Sequence, residues 1–353
     1  MNADDNAGKD SMTANFVEVW RTPVADEPNA MVRAVASVES AGRAVAVAVA
    51  ETTLGVWDLA SGQRLVRSTI PDAQEDSTLV SLTIGRLDGN PIAVTADFGG
   101  RIQASDVASG EPLGEPVAEL HGRPQAVVAA GGLLLVGRGA GATSSVYEVP
   151  VADGAVEVWD IAARQRTGWL PHDGYTDSIA VTEYHGRMVA VAGSIHSPQP
   201  LLDPDDYESH LTAWDAATGE SIRAPIHLPD DSPAGPLAAG VLAGRPVAVV
   251  VGRGGLRVWD LAEGREIATV ACPGRIEAIT WGETAAGPVV LVGGGDIRPD
   301  GRNWLRMWDP RDWRPIAETS TGSGRISSCA VAPDGSAIVP WAGHIQLLRP
   351  EKS

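Results

Sequence analysis

One short pattern recurs along this chain: an extended apolar run that ends in Trp-Asp and is followed by a turn. "LRVWDLAEG" (256–264) is the clearest copy. It returns as "LGVWDLASG" (54–62), "VEVWDIAAR" (156–164), "LTAWDAATG" (211–219) and "LRMWDPRDW" (305–313). Two fainter copies, "IQASDVASG" (102–110) and "IQLLRPEKS" (345–353), put Ser105 and Leu348 in the Trp place. The Trp places are then 57, 105, 159, 214, 259, 308 and 348, spaced 40 to 55 residues apart. Length alone would divide 353 residues into about two domains. A repeat overrides that division, because stacked units share one continuous core.

The residues around each copy read as one module of four strands, a to d. Strand a is rich in small residues, as in "VRAVASV" (32–38) and "SIAVTEY" (178–184). Strand b is nearly all apolar, as in "AVAVAV" (44–49) and "VAVVV" (247–251). A strand without polar alternation is buried on both faces. Gly42, Gly89, Gly186, Gly244 and Gly335 mark tight a–b hairpins. Strand c carries the Trp place, and strand d follows the turn. Helical periodicity is absent throughout. Period, pattern and strand order predict an all-β fold: a seven-bladed β-propeller of four-stranded antiparallel blades. From residue 31 to 348 there are seven a-b-c triplets but only six following d strands. The N-terminal "FVEVWRTPV" (16–24) supplies the seventh, closing the ring and removing the free sheet edges. Residues 1–14 read as a disordered tail and 15–353 as a single domain.

Over residues 16–350 the chain resembles the WD-repeat β-propeller family, and most closely the Ala/Gly-rich repeats of actinobacterial multidomain proteins. The likeness rests on the Trp-Asp strand ends and on turns such as "LDGNP" (87–91) and "LAGRP" (242–246). It implies the propeller fold and a role as a scaffold for other proteins. The chain also departs from the family. The Gly-His pair before strand a is matched only loosely, at Leu120-His121 and Pro171-His172. Most of the family's Ser/Thr, Asp, Trp and His hydrogen-bond set is missing. Blade 4 comes nearest, with His172, Ser194 and Trp214.

A net charge of −18 argues against nucleic acid and anionic membrane as partners, since both need a basic surface. Cys272 and Cys329 lie far apart and form no disulfide framework. They read as buried small apolar residues. The polar N-terminus has no apolar h-region, and no run of 18 apolar residues exists, so a cytoplasmic protein is expected.

Antiparallel alternation puts all b–c and d–a connections at one end of the blades. Three b–c connections are long: 137–155 in blade 3, 192–210 in blade 4 and 293–304 in blade 6. Connections beyond about 12 residues inside a compact domain are usually either functional or disordered. The inserts contain Tyr147 and Glu148 in blade 3, then His196, Asp203, Asp206 and Tyr207 in blade 4. Blade 6 adds Asp296, Arg298 and Trp304, and the d–a connection into blade 4 adds His172 and Asp173. These residues form the expected binding surface for a protein or peptide partner. On the alternative reading they surround an enzymatic or small-molecule pocket at the channel mouth, with Glu148, His172, Asp173 and His196 able to move protons. No cofactor or metal is expected. "DPDDYE" (203–208) lacks the spacing of a calcium loop, and no nucleotide or nucleophile motif is present.

Overall fold

The computed structural model describes residues 13–25, 30–69, 78–120, 124–138, 155–172, 174–196, 208–229, 235–272, 274–295, 302–321, 326–341 and 343–351. All regular structure among them is β, and none is helical. After β1 (Ala14–Pro23), the first sheet holds β2 (Val32–Ser40), β3 (Arg43–Ala50), β4 (Thr53–Asp58) and β5 (Arg64–Thr69). The second holds β6 (Leu79–Leu87), β7 (Asn90–Asp97), β8 (Arg101–Asp106) and β9 (Ala118–Glu119). The third holds β10 (Pro124–Ala130), β11 (Leu133–Arg138), β12 (Ala155–Asp160) and β13 (Gln165–Pro171). The fourth holds β14 (Tyr175–Tyr184), β15 (Arg187–His196), β16 (Glu208–Asp215) and β17 (Ile226–His227). The fifth holds β18 (Leu237–Leu242), β19 (Arg245–Gly252), β20 (Gly255–Asp260) and β21 (Arg265–Ala271). Each is a four-stranded antiparallel meander.

The remaining strands join into one eight-stranded sheet. It contains β22 (Arg275–Thr284), β23 (Gly287–Gly295), β24 (Asn303–Asp309), β25 (Arg314–Thr321), then β1, and β28 (His344–Pro350), β27 (Ala337–Trp341) and β26 (Ala330–Val331), in that order. β1 lies antiparallel to β28 and touches β25 in parallel through Ala14 and Asn15. The N-terminal strand thus takes the fourth place beside β28, as the strand count requires. A second detail likens it to the fourth strands of the other sheets. Where β4, β12, β20 and β24 pair with their fourth strands, a bulge falls at Trp57, Trp159, Trp259 and Trp308. The pairing of β28 with β1 has its bulge at Leu348, the same place. Ser105 also occupies the Trp register, opposite Ala93 as Trp57 is opposite Ala46.

The Asp that follows the Trp place fixes the c–d turn. Asp58 Oδ1 accepts the Ser61 N–H at 2.8 Å and its O–H at 2.7 Å. Asp106, Asp160, Asp215, Asp260 and Asp309 likewise accept a backbone N–H two or three residues on. The turn then needs a left-handed residue, which is Gly62, Gly110, Gly219 or Gly264 in four copies and Arg164 or Trp313 in the other two. A carboxylate on this short side chain reaches back to turn N–H groups at little conformational cost.

Seven buried apolar clusters lie among the described residues. Each joins two modules that are successive in the chain, apart from one that joins the first and last. β3 shows how: Val45, Val47 and Val49 pack toward the second sheet, while Ala46, Ala48 and Ala50 pack toward β27 and β28. The strand alternates large and small rather than apolar and polar, because both faces are dry. The first strands lie against one another in the order β2, β6, β10, β14, β18, β22 and β26, and β2 also touches β26 and β27. Their inner edges are bonded across modules. Ser328 Oγ accepts the Val35 N–H, Ser37 donates to the Val331 carbonyl, and Thr83 Oγ1 accepts the Ala129 N–H. Each of these bonds satisfies a backbone group that an edge strand would otherwise leave unpaired.

Several boundaries differ from expectation. The first strand of the last module is only Ala330–Val331, and Ser328 just before it is bonded to the first sheet. The long connections are shorter than expected, since pairing continues into them. β15 runs to His196 and β16 starts at Glu208, leaving 197–207 between. β23 runs to Gly295 and β24 starts at Asn303.

Candidate functional site

The end of the fourth sheet from which 197–207 departs concentrates the chain's histidines. Five of the seven, His172, His185, His196, His210 and His227, fall in this one module. His185 is exposed in the a–b hairpin at the opposite end, and the other four stand at the insert end. The module explains their placement. β14 and β15 are each ten residues long, so they carry the sheet further than its neighbours.

His172 lies just before β14. Its ring is buried, with Nε2 2.7 Å from Thr176 Oγ1 and the ring centroid 6.1 Å from that of Trp214. The family-like partner Ser194 is not the one it uses; among the described residues Ser194 Oγ has no hydrogen-bond partner. Thr176 reaches His172 because a bulge between Thr176 and Ser178 shifts the start of β14 by one residue. The residue that the bulge extrudes is Asp177, which is partly buried, and burial raises its carboxyl above the usual range. Bulges at the same end of β2, β6, β10 and β22 extrude Arg33, Val80, Gln125 and Glu277. The sequence reading did not single out these positions, since a bulge leaves no mark in an Ala/Val-rich strand.

Farther out on the same sheet, β16 and β17 bring Glu208, His210 and His227 together. His210 Nε2 is 3.2 Å from His227 Nε2 and 4.0 Å from Glu208 Oε2. The rings of His210 and His227 meet edge to face, with centroids 4.1 Å apart. The His210 side chain is only 10% exposed, whereas that of Glu208 is 57% exposed. The register sets the group: His210 stands directly opposite His227, and Glu208 is two residues along the same strand, hence on the same face. His196 is Glu208's cross-strand partner in the backbone register. Among the described residues this is the one set of three metal-capable side chains with donor atoms within 4.8 Å of one another. The sequence reading expected no metal and gave His227 no role.

In the eight-stranded sheet, Trp304 belongs to β24 rather than to a loop. It stands opposite Gly294, and its ring also lies over Gly274, where any Cβ would collide with it. The Arg306 guanidinium sits 5.2 Å from the ring centroid. The indole is half-buried, and among the described residues its buried Nε1 has no hydrogen-bond partner. The other expected site residues, Tyr147, Glu148, Asp173, Asp203, Asp206, Tyr207, Asp296 and Arg298, lie outside the described residues, and His196 is described only as a backbone position.

Both thiols are buried, as the sequence suggested. Burial pushes Cys329 up to about 12. It also raises Cys272, with Arg306 4.0 Å away pulling in the opposite direction. A thiol that stays protonated and enclosed is a poor nucleophile.

No protein-family model and no curated protein matches this chain. Among the described residues, no helix is long and apolar enough to cross a membrane.

Proposed function

We propose that the chain is a seven-bladed WD-repeat propeller, closed by β1, that binds a protein or peptide at its insert end without catalysing a reaction. The ring reading draws on the cyclic contacts of the first strands and on the bulge that β1 shares with the other fourth strands. The observation that carries the binding reading is the state of the polar groups at that end. His172, the strongest acid–base candidate, is buried against Thr176 and Trp214 rather than presented to a pocket. The partly open Trp304 indole, backed by Arg306, has the character of a binding anchor. Two unpaired, buried thiols suit a reducing compartment such as the cytoplasm.

The test replaces 139–154 and 197–207 with the short Arg253-Gly254 turn of the fifth sheet, leaving every described strand in place. The double graft should fold, because β11–β12 and β15–β16 still meet in register. Partners that cross-link to the intact chain in cell extract should be lost by the graft and by Trp304→Ala. His172→Ala should cost about 1 kcal/mol of stability through its lost hydrogen bond and leave those partners bound. Retention of all partners by the graft would move the binding surface elsewhere. A turnover that falls ~10²–10⁴-fold in His172→Ala would replace the scaffold with an enzyme.

A further inference from the structure

We propose that Glu208, His210 and His227 form a binding site for a zinc ion. Two imidazoles and one carboxylate are a donor set that suits zinc, which takes neutral His nitrogen and Asp/Glu oxygen. The spacing fits as well. Zinc–nitrogen bonds of about 2.0–2.1 Å in a tetrahedron put two nitrogens about 3.3 Å apart. His210 Nε2 and His227 Nε2 are 3.2 Å apart. Glu208 Oε2, at 4.0 Å from His210 Nε2, is the outlying donor, and it belongs to an exposed side chain longer than the imidazoles. The two histidines are held by the β16–β17 ladder, so the chain does not have to reorganise to bring them together.

The site also has a structural rationale. β17 is two residues long and pairs with β16 only through Ile226 and His227. A metal bridging His210 and His227 would fasten this short strand to its neighbour at the insert end. Three protein donors leave one tetrahedral position for water or for a donor from a bound partner. The inference is independent of the binding role proposed above, since it needs only the described strands.

The experiment is calorimetric titration of the full-length, tag-free, chelator-stripped chain with zinc chloride. One site per chain is expected, with a dissociation constant of roughly micromolar or tighter. Cobalt(II) in the same site should give the visible d–d absorption of a four-coordinate ion. His227→Ala, an exposed position on a short outer strand, should weaken zinc by ~100-fold or more and abolish the cobalt spectrum. His185→Ala, at the other end of the same sheet, should change neither. Should wild type bind zinc no tighter than about millimolar, or His227→Ala bind it as well as wild type, the imidazoles share only an N–H···N hydrogen bond and the site is refuted.

Discussion

Asp177 carries a cost that its neighbours do not. The bulge in β14 extrudes it into a partly buried position, where burial raises its carboxyl above 3.8 with no cation to offset the effect among the causes acting on it. A raised carboxyl means that the folded state prefers the neutral form. Its contribution to stability is therefore fully present below the ordinary value and is lost as pH rises through the folded value. Asp177→Asn keeps the shape and cannot ionise. It should be more stable than wild type at pH 7, with the gain disappearing at pH 3.5 and below. Urea midpoints at the two pH values measure this, and a gain of equal size at both would contradict the burial argument.

The c–d turn is the element that best joins sequence to structure. Asp58 is held below the usual carboxylate range, chiefly by the Ser61 hydroxyl and N–H, so it behaves oppositely to Asp177. Its contribution is present above 3.8 and is lost as pH falls through the depressed folded value. Asp58→Ala should cost about 1 kcal/mol at pH 7, read from the denaturation midpoint, and progressively less in acid. A cost that does not change with pH would mean the turn does not depend on the charge. This element was legible in the sequence because its chemistry is local: Trp, Asp and a left-handed Gly lie within six residues, as at 57–62. The order of strands within each sheet and the place of β1 beside the last strand were legible too, since counting strands needs no contacts. The Glu208–His210–His227 group was not. His227 lies 17 residues beyond His210, on a two-residue strand with no repeat signature. Only the pairing of β16 with β17 makes them neighbours. The bulges that place Thr176 under His172 and extrude Asp177 were hidden for a similar reason. They come from one unpaired residue in a ladder, and in small-residue strands nothing in the composition announces it. The extended ends of β15 and β16 escaped notice because polar residues there read as loop.

For the whole molecule, the account depends on closure. Seven buried clusters link the modules in succession, and the one between the first and last modules includes Val24, just past β1, with Trp20 packed against it. Trp20 Nε1 donates to the Leu59 carbonyl at 3.1 Å, and its ring lies over Gly62 in the first sheet. β1 therefore binds the last module by its ladder with β28 and the first by its indole. A ring closed in this way would unfold cooperatively, whereas an open array frays from its ends. The decisive measurement compares chemical denaturation of two truncations. Removing residues 1–13 leaves all of β1, and the midpoint and slope should match those of the full chain. Removing residues 1–24 takes away the β28 ladder, the Trp20 contact and Val24, and should lower the midpoint sharply and make the transition broader. If both truncations unfold at the same midpoint with the same slope, β1 does not close the ring, and the propeller proposed for this chain is wrong.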